Sequence, residues 1–440
     1  MNGNSSVIDN SKLSKFHLKT TVAGSAGQFC DGYLLGIIAP ALPLFLAQHP
    51  MSATMVGLIG ASTLIGVFLG AMLFGHLTDK YGRRKLFILD LLLIIILSLL
   101  HFAVADAMQL LILRLLIGIA IGGDYSISPT LIAEFSPAKQ RAILVSLGPT
   151  MWTLGYVAAF FAGAGFANLG EEGWKLMLAS SAVPAFLVLF LRMSTPESPR
   201  WLASQGRFDE ALAILRKYVN PNATLQDLEG DKSVVKNSIS EIFSVRYRKR
   251  VMFMSVMWIC QVIPYFAVFT FLPTILKNLA LGSETYETLL INSFLLIGSV
   301  LGLYIVNKLS RRTFTILSFV FLTLSTLGIA LSSGTSITFI ILCFSIFALI
   351  SAASAVLDVV YPTELFPTEI RATATGICVS ASRIGAAIGT FLMPIGMTYW
   401  GTNSIILVAA AVCAIGLIVS VLYAPETKGL SLTEAAAVDN

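Results

Sequence analysis

Apolar stretches about as long as a bilayer is thick recur along this chain and constrain its fold more than any other feature. Twelve can be delimited, over residues 21–47, 55–78, 86–105, 108–134, 142–168, 174–193, 251–276, 287–307, 313–332, 335–361, 372–399 and 402–424. A helix needs roughly 20 residues to cross the hydrocarbon. Composition agrees: 56% of the 440 residues are hydrophobic and 12% are charged. Soluble domains carry about 25% charged residues. The mean hydropathy is +0.82. The predicted class is therefore all-α and integral to the membrane.

A duplication sets the second constraint. Glu134-x-x-Pro137-x-x-x-Arg141 recurs 230 residues later as Glu364-x-x-Pro367-x-x-x-Arg371. Asp79-Lys-Tyr-Gly-Arg83-Arg84 recurs as Asn307-Lys-Leu-Ser-Arg311-Arg312, and Pro196-Glu197-Ser198 as Pro425-Glu426-Thr427. The halves are read as two pseudo-symmetric six-helix bundles, residues 1–194 and 251–440, joined by a linker over 195–250. Within the linker, Ala211, Leu212, Ile214, Leu215 and Tyr218 predict a short amphipathic helix. An apolar chain of two equivalent halves predicts a transporter whose bundles rock about a central site.

Basic residues set the orientation. All 29 Lys and Arg except Lys175, Lys277, Arg114 and Arg383 fall in the amino-terminal tail, the even-numbered loops or their flanks. Basic residues concentrate on the cytoplasmic side, so both termini are expected there and the chain spans a bacterial inner membrane. The net charge of +5 then reflects topology, and no nucleic acid is expected as a partner. The polar first twenty residues lack the pattern of a cleavable leader, so insertion is expected to use the first span. All five cysteines lie inside predicted spans without CxxC spacing, the four histidines do not cluster, and no phosphate-binding loop occurs. No metal, cofactor or enzymatic activity is expected, and the protein is read as a monomer in the lipid bilayer.

Several motifs carry a family resemblance. Gly75-His-Leu-Thr-Asp79-Lys-Tyr-Gly82-Arg83-Arg84-Lys85 resembles the loop between spans two and three of the major facilitator superfamily. Arg114-x-x-x-Gly118-x-x-x-Gly122-Gly123 resembles its fourth-span motif, and Pro196-Glu-Ser-Pro-Arg-Trp-Leu202 a segment shared by sugar porters and organic-ion transporters. The resemblance implies twelve helices and a cytoplasmic latch made by Asp79, Arg83, Glu134, Arg141, Glu364 and Arg371, with Asp358 beside it. Asn307 and Ser310 replace the usual Asp and Gly, so the second half of that latch is expected to be weaker. Sugar porters usually place a Gln pair and a Tyr pair in span seven and a Gly-Pro-x-Pro-Trp in span ten. This chain has Gln261 and Tyr265 alone, and Ala355-Val-Leu-Asp358-Val359. Tyr361-Pro-Thr-Glu364-Leu-Phe-Pro367-Thr-Glu-Ile-Arg371 is similar instead to the branch containing organic-ion transporters and aromatic-acid symporters. Phe29-Cys-Asp31-Gly32-Tyr33 is similar to the latter's first span.

Charges near the bilayer midplane complete the reading. Asp31 lies about eleven residues, or about 16 Å, into the first span at 1.5 Å per residue. Arg383 is comparably deep in the eleventh, and Asp124 sits near the middle of the fourth. A charge there is costly unless it is paired or hydrated, so each marks a candidate site. Asp31 and Asp124 are the candidate proton acceptors and Arg383 the candidate clamp for a substrate carboxylate. A permanent Asp31–Arg383 pair is the alternative. Asp90 is expected to meet the Arg83–Lys85 cluster. Trp258, Gln261, Tyr265, Tyr125, Ser128, Trp152 and Tyr156 are the candidate substrate contacts. The expected activity is proton-coupled uptake of a small organic anion, an aromatic or short-chain carboxylate, with a sugar or polyol symporter or a drug antiporter as alternatives.

Overall fold

In a computed structural model, residues 11–167, 169–170, 172–224, 245–279, 284–332, 336–366 and 368–428 are described. Among these, twelve helical segments are long and apolar enough to cross a membrane. In order they are Lys15–Gln48, Ala53–Thr78, Arg83–Ala103, Ala107–Phe135, Ile143–Phe166, Gly173–Met193, Tyr247–Thr270, Thr285–Lys308, Arg311–Ala330, Ile337–Pro362, Thr373–Trp400 and Thr402–Tyr423. The first begins before the apolar run because Lys15 and Lys19 join its opening turns. It bends at Ile37, between helices Lys15–Gly36 and Ile38–Gln48.

The spans pair in the same way in each half. The first packs on the fifth, the second on the fourth and the third on the sixth. Their counterparts, seventh on eleventh, eighth on tenth and ninth on twelfth, repeat the arrangement. The halves meet where the second span lies against the eleventh and the fifth against the eighth, two contacts that the pseudo-symmetry interchanges.

With lipid outside, apolar burial gives little drive for helix association, so spans join through close packing and small residues. Second and fourth spans cross so tightly at Gly66 and Gly118 that a Cβ added at Gly118 would lie 2.9 Å from the Gly66 Cα. In the other half, Gly298 and Gly302 approach the backbone of Leu349 and Ala353.

The predicted amphipathic helix spans Phe208–Tyr218 and buries Ala211 and Leu215 against Trp201 and Leu202. Its Tyr218 ring meets Phe16, in the opening turn of the first span, with centroids 4.7 Å apart. The start of the linker is thus docked as a strut on the first half, and its remainder, 225–244, lies outside the described residues.

Gly118→Leu should overpack the second–fourth crossing and cost about 1–3 kcal/mol. A thermal unfolding scan in detergent should register a lower midpoint. Gly376→Ala, whose new Cβ meets nothing within 4 Å, should leave the midpoint in place.

Candidate functional site

The three duplicated motifs converge on one cluster in each half, at the end bearing the even-numbered loops. In the first half, Arg83 reaches Glu134 at 3.4 Å. Glu197 accepts the backbone N–H groups of Arg83 at 3.0 Å and Arg84 at 3.2 Å. Arg84 donates to the carbonyl of Met193 at 3.2 Å. The second half repeats this with Arg311 on Glu364 at 2.9 Å, Glu426 accepting from the amides of Arg311 and Arg312, and Arg312 donating to Val421. Thr427 donates its hydroxyl to Glu364. Each glutamate of the Pro-Glu repeat therefore sits at a helix N-terminus, where free N–H groups and the helix dipole favour an anion.

Partial burial pushes the Glu426 carboxyl up, but Ser310 and the amides of Lys428, Arg311 and Arg312 outweigh it. The group is held below the ordinary carboxylate value, so its contribution to stability is present near neutrality and lost as pH falls through the folded value.

Asn307 bonds to the Leu303 carbonyl of its own helix at 2.8 Å and adds nothing across helices. Arg311 nevertheless holds Glu364 closer than Arg83 holds Glu134. Ser310 replaces the glycine by capping the ninth span, accepting the N–H of Thr313 at 3.2 Å, where Gly82 takes φ 97°. Arg141 donates to the Ser136 carbonyl at 3.0 Å. The side chains of Asp79 and Arg371 lie outside the described residues. Every contact named here stays within one half.

A second constellation lies inside the first bundle, and its central residue is one the sequence reading passed over. Arg192, near the end of the sixth span, is fully buried. Its Nη1 donates to both Asp90 oxygens at 3.0–3.1 Å and to the Phe87 carbonyl at 2.9 Å, and its Nη2 donates to Asp124 at 2.5 Å. The guanidinium stacks 3.8 Å above the Phe87 ring. Any Cβ at Gly27 would overlap it, so the first span supplies a glycine there. Ser128 donates to Asp124 at 2.6 Å. Asp31 is 0% exposed beside Asp124, and neither of its oxygens has a hydrogen-bond partner among the described residues.

Several expectations change accordingly. Asp90 pairs with Arg192 and not with the Arg83–Lys85 cluster, because its helix turns it into the bundle. Ser128 is fully buried in this network and away from the cavity. Asp31 and Asp124 face Arg192, so there is no Asp31–Arg383 pair. In the sequence Arg192 is hidden among the basic flanks of the even-numbered loops, as the last charged residue before the linker. The surplus of buried acids in the first half was the available signal, since such acids require a buried base.

The central cavity, about 390 Å³, lies between the halves. Gln28, Tyr125, Trp152 and Thr153 line it from the first half, and Trp258, Gln261, Tyr265, Phe266, Asp358 and Arg383 from the second. Among the described residues, Arg383 is the only Lys or Arg in that lining. Its guanidinium lies 4.9 Å from the Tyr125 ring centre and 6.0 Å from that of Phe266, so it spans the two halves as a cation–π contact. Trp152 meets Tyr265 and Phe266 across the same boundary at 6.3 and 6.2 Å. Gln261 donates to Ser354 at 3.0 Å.

Tyr156 is fully buried, stacked on Trp152 at 5.2 Å, and outside the lining, so it supports the wall and does not contact a ligand. Asp358 lines the cavity within electrostatic reach of Arg383 and is not part of the Glu364 cluster. Its place is set by the break of the tenth span between Ile337–Ser354 and Leu357–Leu365. Gln28 and Thr153 were missed because single neutral polar residues in an apolar span give no distinctive pattern. Val145, Pro362 and Thr375 carry the cavity toward the even-loop end. At the other end Gly57 packs on Phe391, and Gly60 on Phe271 and Thr390.

Arg192→Leu leaves Asp90 and Asp124 buried without their base and should cost about 3–5 kcal/mol. Thermal unfolding in detergent should show the loss, and adding Asp90→Asn and Asp124→Asn should recover part of it.

Known proteins place this architecture. Residues 4–438 match the family described as sugar (and other) transporter. The inner membrane metabolite transport protein YgcS of Escherichia coli is 40% identical over 434 residues, covering 98% of this chain and 96% of YgcS. The glucose transporter GlcP of Staphylococcus epidermidis is 30% identical over 432 residues, covering 94% of this chain and 95% of GlcP. The partially occluded, inward-open structure of the xylose transporter XylE from E. coli matches with a TM-score of 0.80 at 22% identity, over 95% of this chain and 100% of that one. With a family match over nearly its whole length and the twelve-span, two-bundle fold, this chain belongs to the sugar (and other) transporter family of the major facilitator superfamily, a family of transporters and not of enzymes.

Proposed function

We propose that this protein carries a small organic anion together with a proton by alternating access. The observation that carries the reading is Arg383, the sole basic side chain among the described residues that line the central cavity. A guanidinium in a dehydrated site recognises a carboxylate through paired hydrogen bonds and strong Coulomb attraction. Tyr125, Trp152, Trp258, Gln261 and Tyr265 form the remainder of the binding surface.

The buried network of the first half is the proton site in this reading. It holds three carboxylates, Asp31, Asp90 and Asp124, against one guanidinium. Like charges this close do not all stay ionised, and taking up one proton moves the cluster toward neutrality. Asp124 and Tyr125 are neighbours on the fourth span. One faces the network and the other Arg383, so a shift of that helix links proton and substrate.

Placing the even-loop end in the cytoplasm follows the basic residues and makes this conformation inward-facing. The Glu134 and Glu364 clusters then act as cytoplasmic gates. The protein works as a monomer in the bacterial inner membrane, its halves 1–194 and 251–440 tethered by 195–250.

A neutral sugar is the second reading. It is favoured by the family, by the name of the relative GlcP, and by Gln28 and Gln261 in the cavity wall.

Counterflow in proteoliposomes separates the two. Arg383→Ala should weaken anion exchange by about 2 kcal/mol or more, roughly 30-fold in half-saturating concentration. Unimpaired exchange by that variant, with a sugar as the carried species, would overturn the anion reading. Asp31→Asn and Asp124→Asn should keep counterflow yet lose accumulation driven by an inward proton gradient, read as substrate uptake against pH. Gradient-driven accumulation by both variants would remove the network from the coupling step.

A further inference from the structure

Asp358 brings to the cavity an acceptor that a simple carboxylate substrate leaves unmatched. It projects from the tenth span into the space that Arg383 reaches from the eleventh, close enough for Arg383 to act on it electrostatically. Yet no ion pair joins the two. Asp358 Oδ1 and Arg383 Nε are each buried without a hydrogen-bond partner, and so is Trp152 Nε1 across the cavity. Asp358 and Arg383 thus line the cavity with a carboxylate and a guanidinium that the protein leaves partly unsatisfied.

We propose that the substrate is a polyhydroxylated carboxylate, its carboxylate on Arg383 and a hydroxyl donating to Asp358. This rests on the anion reading of Arg383 and narrows it to a substrate class. Buried polar groups left unpaired are costly, so the preferred ligand is the one that pairs them all. A plain aliphatic or aromatic acid satisfies Arg383 but brings no donor to Asp358. A neutral sugar brings donors but leaves the guanidinium without an anion. A hydroxy acid supplies both.

The other polar lining groups suit hydroxyls as well. Gln28 and Gln261 are neutral amides that combine donors with acceptors, and Thr153, whose hydroxyl donates to the Pro149 carbonyl, can still accept. Gln261 commits its Nε2 to Ser354, leaving its carbonyl oxygen to accept. An ammonium in place of the hydroxyl would match Asp358 and could donate to these partners, but it could not accept from them.

The test is counterflow and thermal-shift binding with the purified full chain and a matched six-carbon series. It comprises gluconate, galactonate and glucuronate as hydroxy acids, hexanoate without hydroxyls, glucose without the carboxylate, and 6-aminohexanoate with an ammonium. Benzoate serves as the aromatic acid. At least one hydroxy acid should bind roughly 10- to 100-fold more tightly than hexanoate, benzoate, glucose or 6-aminohexanoate.

Asp358→Ala should shrink the preference for the hydroxy acid over hexanoate at least tenfold. Asp358→Asn, which keeps the shape and an acceptor, should retain part of it. Hexanoate or benzoate bound as well as every hydroxy acid overturns the hydroxyl inference while the anion reading survives. Glucose carried equally well, with Arg383→Ala tolerated, overturns both. A preference for 6-aminohexanoate, or unchanged selectivity in Asp358→Ala, overturns the hydroxyl inference alone.

Discussion

The Arg192 guanidinium is the point on which the first bundle depends. Four spans supply parts of its surroundings: Gly27 from the first, Phe87 and Asp90 from the third, Asp124 and Ser128 from the fourth, and Arg192 itself from the sixth. A charge in this position has no water to turn to, so its partners must come from neighbouring helices. The network thereby specifies how these helices are rotated about their axes, which apolar packing alone leaves loosely defined. It also concentrates three acids around one base.

The even-loop end follows a different economy of parts. There the chain uses the same three motifs twice, and both copies close locally, an arginine on a glutamate and a second glutamate on a helix N-terminus. Because these contacts remain inside one half, they stiffen each bundle as a unit. Rigid bundles are what a rocking mechanism requires, since motion is then confined to the boundary between them. Substitutions between the copies are compensated within this geometry: Ser310 caps a helix where Gly82 relies on its positive φ.

In the cavity, too, the halves differ in chemistry. Its first-half wall is aromatic and neutral, while its charges, Asp358 and Arg383, come from the second half. The cation–π contact of Arg383 with Tyr125 crosses the boundary, one residue along the helix from Asp124. A single turn of the fourth span thus touches the buried network on one face and the cavity on another. The aromatic contacts of Trp152 with Tyr265 and Phe266 keep the halves in register around this point.

The amino-acid sequence alone was enough for twelve spans, two equivalent halves and a short amphipathic helix near Phe208–Tyr218, because hydropathy and repeated motifs are local properties. It was also enough to mark Asp31, Asp124 and Arg383 as deep charges, since depth follows from counting residues along a helix. It did not contain their partners. Arg192 meets Asp90 and Asp124 across 102 and 68 residues, and spans that are apolar on all sides carry no pattern that says which way an acid points. Tertiary packing decided that Asp124 turns inward while Tyr125 faces the cavity, and that Ser128 and Tyr156 are buried behind the wall. It likewise brought Asp358 to Arg383 through the break in the tenth span. Depth in the membrane is set along each helix, whereas contact is set by the rotation of one helix against another, and that rotation exists only once the bundle has assembled.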